Sequence, residues 1–319
     1  MIWQLLLGVV IAVVQGCDKS APQPSKTPVI STPTPTPDQY FTTNYNIVSL
    51  GFTTDFEPAK KLGMVENSSL NEISGIASGK GLPNTLWSEE DSGNENNLYL
   101  MKTTGEHLGT IRMTSITNRD WEDMSIAPGP VNSESYIYLA EIGDNKRVNA
   151  DKYIFRFQEP TFVSTTFPFT IDLPVVDKIT FSYPDGNKNA EAVMIDPATK
   201  DIYIVSKENQ AVIYVARYPQ DIAKSFVMTK LGVLPISDVT SADISVDGNE
   251  IVIKNYALIL YWKKSGNESI TQLLHKEPLR APYQIEEKGE AICWAADGSG
   301  YYTTSELPSQ PIYFYKRKN

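Results

Sequence analysis

Cysteine and histidine are nearly missing from this chain, with two of each in 319 residues. That scarcity excludes a disulfide scaffold and deprives an ordinary zinc site of its sulfur and imidazole ligands. Nucleophile-elbow, His-Glu-x-x-His and phosphate-loop motifs are absent too, so serine-hydrolase, zinc-protease and nucleotide-loop chemistry find no support. His107 in Thr104-Gly-Glu-His and His275 in Leu274-His-Lys have no matched partners and read as surface residues. Positive charge is short as well: 28 Lys and Arg stand against 38 Asp and Glu, a formal net charge of −10. No basic stripe forms before Lys316-Arg317-Lys318, which excludes nucleic acid as a partner and favours cations, or substrates delivered with a cation.

A bilayer span needs about 20 apolar residues, and Ile2 to Val14, broken by Gln4 and Gly8, falls short of that. It has the length of a signal-peptide core. Val14-Gln15-Gly16-Cys17 resembles a bacterial lipobox, in which the cysteine takes a diacylglycerol and a fatty acyl chain such as palmitate and becomes the mature N-terminus. The alternative is an ordinary signal peptide with an incidental cysteine. Residues 18–40 are rich in Pro, Ser and Thr, with Thr-Pro repeating from Thr32 to Pro37. Such a segment favours extended polyproline conformations and suits a spacer between a membrane and a domain. The expectation is a lipoprotein of the bacterial cell envelope, exposed outside the cytoplasm. With Cys17 lipidated, Cys293 has no partner, and its apolar neighbours Ala291-Ile292 and Trp294 make it a buried, inert thiol.

Residues 41–319 are long enough for one large β-domain, expected to be a monomer. Runs such as Tyr136-Ile-Tyr-Leu139, Ile202-Tyr-Ile-Val205 and Ile312-Tyr-Phe-Tyr315 alternate with turn signals such as Asp247-Gly-Asn249 and Asp297-Gly-Ser299. Long amphipathic helix patterns are absent. A recurrence near 50 residues, the length of a four-stranded propeller blade, organises these strands. Glu72-Ile-Ser-Gly-Ile-Ala, Glu122-Asp-Met-Ser-Ile-Ala, Glu191-Ala-Val-Met-Ile-Asp, Ala242-Asp-Ile-Ser-Val-Asp and Glu290-Ala-Ile-Cys-Trp-Ala superimpose without gaps at intervals of 50, 69, 51 and 48. Second strands end in polar residues, among them Asp91, Lys207, Lys254 and Glu306. Five blades follow, or six if the long interval hides one. Extra hairpin residues at Phe162 to Phe169 fill that interval in the five-blade reading. The last unit is too short for four strands, so Tyr45 to Phe52 and Lys60 to Val65 are expected to complete it and close the ring.

Asn71-Glu-Ile-Ser-Gly-Ile, Asp91-Ser-Gly, Asp120-Trp-Glu-Asp, Ile142-Gly-Asp-Asn-Lys-Arg147, Asn189-Ala-Glu-Ala, Ala242-Asp-Ile-Ser-Val-Asp-Gly248 and Gly289-Glu-Ala-Ile together resemble a group of bacterial exported propeller-like proteins. The resemblance covers most of Glu72 to Glu306 and implies the propeller fold without implying an activity. Lys254-Asn255-Tyr256 departs from it where an Arg-Thr-Tyr-like triplet is expected.

First strands of blades line the central channel, so Glu72, Glu122, Glu191 and Glu290 are expected to converge, with Asp243 leaning in from the fourth unit and Asp123 placed like it. Carboxylates about 7 Å apart at an effective dielectric near 20 repel by about 2 kcal/mol per pair, so the ring needs a neutraliser. Calcium suits a set of hard oxygens, accepting about six to eight of them in flexible geometry. Basic neutralisation is the competing reading, with Lys207, Lys254, Arg119 and Lys188 nearby. Asp91, Asp144 and Asn145 offer further oxygens or ligand contacts at the channel mouth, or are Asp/Gly turns. Five-bladed calcium-dependent nucleotidases are similar in arrangement only. Two functions follow: an anchored module binding calcium and a small polar ligand or protein partner, or a calcium-dependent hydrolase of phosphate esters or lactones.

Overall fold

A computed structural model describes residues 39–161 and 166–318. Cys17 and the segment before residue 39 lie outside the described residues. Each of the five repeat units folds as an antiparallel sheet. Blade 1 runs Ile73–Ser78, Thr85–Glu90, Asn97–Lys102, His107–Met113, and blade 2 runs Trp121–Pro128, Ser135–Glu141, Lys152–Gln158, Asp177–Ser182. Blade 3 comprises Ala190–Ile195, Ile202–Ser206, Ala211–Ala216 and Thr229–Leu234, and blade 4 comprises Val239–Ile244, Glu250–Asn255, Ile259–Lys263 and Leu279–Ala281. Blade 5 contributes Ala291–Trp294, Gly300–Thr304 and Pro311–Lys316, and its fourth strand is Lys60–Met64 from the other end of the domain. The inner strands touch in cyclic order, blade 5 meeting blade 1, which makes a five-bladed β-propeller.

Alternation along each strand sends apolar side chains to both faces of a blade, and neighbouring blades bury them against each other. Five apolar clusters result, one in each gap between blades. The gap between blades 4 and 5 is aromatic, holding Phe56, Tyr261, Trp294, Tyr301 and Tyr315. Cys293 is buried between blades 5 and 1, where desolvation holds its thiol well above the usual range. This matches the inert role read from its neighbours.

Outer strands expose unpaired backbone groups, and the chain covers them with segments from elsewhere. Phe169–Leu173 adds a fifth, parallel strand to blade 1, and Phe226–Val227 does the same for blade 2. The long interval thus holds a strand given to the preceding blade, where an extra hairpin was expected. Residues 39–64 form a belt over the other three edges. Phe41–Thr42 pairs in parallel with blade 3, Phe52 bridges to Arg280 of blade 4, and Lys60–Met64 completes blade 5. Tyr45 to Phe52 is therefore not a strand of the last blade: Ile47–Ser49 is a 3-10 turn, capped by the Asn46 side chain. Phe41 and Phe169 each lie opposite a glycine, Gly232 and Gly109, whose missing side chain makes room for the ring.

Candidate functional site at the channel mouth

Register decides which residues share a level around the axis. In blade 2 Trp121 pairs with Glu141 and Asp123 with Ala140, leaving Glu122 as the extra residue of a β-bulge. Glu191 is the extra residue in blade 3, between Ala190 and Ala192, and Thr240 is the one in blade 4, between Val239 and Ser241. Blade 1 bulges at Ser74-Gly75, between Ile73 and Ile76. The Asp91 N–H donates to the Glu72 carbonyl at 2.9 Å, as Lys207 does to Asn189 at 3.0 Å and Glu306 to Lys288 at 3.2 Å. Glu72 therefore matches Asn189 and Lys288, two residues before the level of Glu191 and Glu290. The gapless superposition is corrected accordingly: Ser74 and Thr240 occupy the places assigned to Glu72 and Ala242. A slip of two residues keeps the alternation of a strand intact, so the apolar pattern could not reveal it. A close approach at Gly75 was the available clue: a Cβ there would come within 2.7 Å of the Asp123 Cα and 2.8 Å of the Glu89 carboxylate.

The level so defined opens into a cavity of about 500 Å³, lined by Ser74, Asp91, Glu122, Asn145, Glu191, Lys207, Tyr256, Glu286, Lys288, Glu290 and Glu306 among others. Three glutamates of the expected ring face it, and each has a different electrostatic fate. Glu191 is ion-paired with Lys207 and accepts from Asn189 Nδ2 at 3.0 Å. Burial nonetheless raises it to about 7. Lys207 reaches the Tyr256 hydroxyl at 2.9 Å, and that hydroxyl donates to Glu290 Oε1 at 2.6 Å. Burial works against the Lys207 ammonium, but the Glu191 carboxylate beside it shifts it upward and keeps it charged. Glu290, raised by burial, keeps Oε2 without a hydrogen-bond partner.

Glu122 has no such relief. It is 4% exposed, and among the described residues its carboxylate takes no hydrogen bond and no ion pair. Desolvation first, then the charges of Glu191, Asp91 and Asp120, hold it well above the usual range. Asp91, at the end of the second strand of blade 1, and Asp120, just before the inner strand of blade 2, bring carboxylate oxygens to it, all within 4.8 Å of one another. Burial raises Asp91 to about 6 and shifts Asp120 up as well. Asp120, Tyr256, Ser74 and Glu286 were not singled out from the sequence as site residues, although Asp120-Trp-Glu-Asp carried a visible pair of acids two apart.

Other expected residues lie elsewhere or are engaged. Glu72 accepts from Asn94 Nδ2 at 2.6 Å near the surface. Asp123 is wholly buried below the mouth, accepting from the N–H groups of Met124 and Val193 at 2.9 Å and the Ser241 hydroxyl at 3.1 Å. Asp243 repeats that role between blades 4 and 5, accepting from Ile244 and Trp294 N–H at 2.9 Å, and lines a separate small pocket beside Lys80. These two carboxylates stitch inner strands together and do not join the mouth. Asp144 ties down its own loop, accepting from Val148 N–H at 2.9 Å and Asn149 N–H at 2.8 Å and pairing with Lys152 at 3.1 Å. Asn145 lines the cavity and accepts from Asn189 Nδ2 at 3.2 Å.

The basic residues divide in the same way. Lys254 is fully buried, donates to the Gly289 carbonyl and is lowered by burial to about 8. Arg119 pairs with Glu141 at 3.3 Å, Lys188 with Glu208 at 3.5 Å, and Glu306 with Lys288. Ion pairs thus reach Glu191 and Glu306 but not Glu122, on which the Lys207 charge acts only from a distance and more weakly than the surrounding acids.

No family model matches the chain, and no curated relative matches it. Among solved structures it is similar to the crystal structure of RRP9 WD40 repeats, at 8% identity and a TM-score of 0.39 over 77% of this chain and 80% of that one.

Proposed function

We propose that this chain is a membrane-anchored, extracytoplasmic binding module, lipidated at Cys17, whose propeller mouth takes a divalent cation, calcium before others, together with a small polar ligand. The supporting observation is Glu122, a nine-tenths buried carboxylate facing a cavity without a hydrogen-bond or ion-pair partner among the described residues, beside Asp91 and Asp120. Burying an ionised carboxylate without compensation costs several kcal/mol, and a cation offsets that cost directly. The donor set is all hard oxygen, which suits calcium and not zinc. The calcium ligands proposed here are Asp91, Asp120 and Glu122. Glu191 and Glu290 of the expected ring are held by Lys207 and Tyr256, and Glu72 and Asp243 stand away from the mouth.

Titration of the melting temperature with calcium, magnesium and a chelator tests this. At a hundredfold excess over Kd, calcium stabilises by about 2.7 kcal/mol, a rise of about 5 °C for a domain of this size. Glu122→Gln should abolish the rise, and an unchanged melting temperature in the wild type would sink the cation site. The anchor has its own readout, since Cys17→Ser should lose metabolic labelling with palmitate and leave the membrane fraction. A calcium-dependent hydrolase of phosphate esters or lactones is the second reading, favoured by the raised Glu290 carboxylate on the wall of the same cavity. Calcium-dependent turnover in a phosphoesterase and lactonase screen would select it.

A further inference from the structure

The chemical class of the polar ligand follows from the charge and hydrogen-bond inventory of the mouth, and this step rests on the cation-binding reading above. Six carboxylates line the cavity against two lysines, and the lysines are already paired, Lys207 with Glu191 and Lys288 with Glu306. Asp91, Glu122, Glu286 and Glu290 remain, with Asp120 beside Glu122, and the buried Lys254 ammonium acts on Glu286 and Glu290. One divalent cation and Lys254 balance three of these five carboxylates. The mouth therefore stays negative when a cation is held, and an anionic ligand entering it meets repulsion of about 2 kcal/mol per carboxylate at 7 Å.

Acceptors are in surplus as well. Glu122 faces the cavity without a donor and Glu290 has a buried oxygen without one, whereas the buried carboxylate of Glu286 lies against the Thr303 and Tyr283 hydroxyls and the Lys254 ammonium. A ligand rich in O–H donors and free of negative charge satisfies such a wall. Three protein carboxylates leave about half of a calcium shell to be filled from the cavity side, and adjacent hydroxyl oxygens are suitable neutral ligands for it. Apolar contact is provided at the rim, where the Tyr256 ring is 36% exposed and Ile285, at the tip of the loop before blade 5, is 66% exposed. Those two surfaces match the C–H face of a sugar ring, and the cavity volume of about 500 Å³ lies within the range of small-ligand sites.

We infer that the mouth binds a neutral polyhydroxy ligand, a sugar or cyclic polyol. Vicinal hydroxyls complete the shell of the cation at Asp91, Asp120 and Glu122, further hydroxyls donate to the acidic wall, and the carbon face rests on Tyr256 and Ile285.

Saturation-transfer NMR and calorimetry on the whole chain test this with methyl α-mannoside, methyl α-glucoside, methyl β-galactoside and myo-inositol, and with inorganic phosphate and spermidine as the anionic and cationic comparisons. At least one polyol should bind in calcium and weaken about tenfold or more in chelator. Ile285→Ser, a surface change, should weaken it about threefold, and Tyr256→Ala about tenfold, with calcium affinity held within about twofold in Ile285→Ser. Calcium binding with every polyol silent overturns the inference and leaves the cation site standing, whereas loss of both overturns the cation site too. Polyol binding that survives chelator, or binding of phosphate or spermidine in place of the polyols, also overturns it.

Discussion

Glu122 and Glu191 occupy the same bulge position in adjacent blades, yet their neighbours give them opposite thermodynamic roles. Glu122 faces other acids, so Glu122→Gln should stabilise the cation-free protein by about 1–2 kcal/mol at neutral pH. Glu191→Gln strands the Lys207 ammonium and should cost about 1–3 kcal/mol, the lower part of the buried-pair range because Lys207 is partly exposed. Chemical denaturation in chelator checks both signs. The same residues set the pH dependence. Burial raises Asp91 to about 6 and Glu191 and Glu286 to about 7, and Glu122 is shifted in the same direction. Between roughly pH 4 and 7 the folded state thus holds protons that the unfolded chain releases, so stability falls as pH rises through that window. Acids held low act below it, as Asp55 does under the Lys263 ammonium. Cation-free protein should melt higher at pH 5 than at pH 7.5, and saturating calcium should narrow the gap; a melting temperature rising from pH 5 to 7.5 in chelator would contradict this electrostatic picture.

Inner strands carry the site, and their bulges aim it. Gly75 lies at the blade 1 bulge against the Asp123 backbone, so Gly75→Ala forces a Cβ into an occupied space and should cost about 2–3 kcal/mol. Asp123→Ala removes the acceptor for two backbone N–H groups and the Ser241 hydroxyl, for an expected loss of about 3–5 kcal/mol in a urea melt. An effect below 1 kcal/mol would mean that these groups find other partners. The contrast shows which features the sequence made legible. Spacing near 50 and alternating apolar residues identified the blades, because both are one-dimensional patterns. An offset of two residues leaves the apolar alternation in phase, so the levels of Ser74 and Thr240 were hidden. For the same reason Asp123 and Asp243 looked like mouth ligands: their sequence neighbours are shared with the true level, and only the N–H groups of the next blade reveal them as stitches. Tyr256 escaped notice because its role depends on Lys207 and Glu290 arriving from two other blades.

At the scale of the whole molecule, closure depends on the belt formed by residues 39–64. Each blade takes its outermost strand or bridge from a segment distant in sequence, and three of these five segments come from the belt. Without Lys60–Met64 the last blade has three strands and an open edge, and Leu62 leaves the apolar cluster between blades 5 and 1. Without Phe41 the Gly232 surface on blade 3 loses its ring. Blade 5 must hold its inner strand against blade 1 for the mouth to exist, since Glu290 stands just before that strand. A chain beginning at Gln39 keeps the whole belt and should keep its calcium response. One beginning at Val65 should lose stability comparable with the total of about 5–15 kcal/mol for a domain, exposing strand edges that pair between molecules. Size-exclusion chromatography and a calcium-dependent melt distinguish the two, and a monomeric Val65 variant with an unchanged transition would show that the ring closes without its belt. Adding the 39–64 peptide in trans should partly restore the transition, because the belt's contacts lie on outer edges and do not require prior threading through the ring.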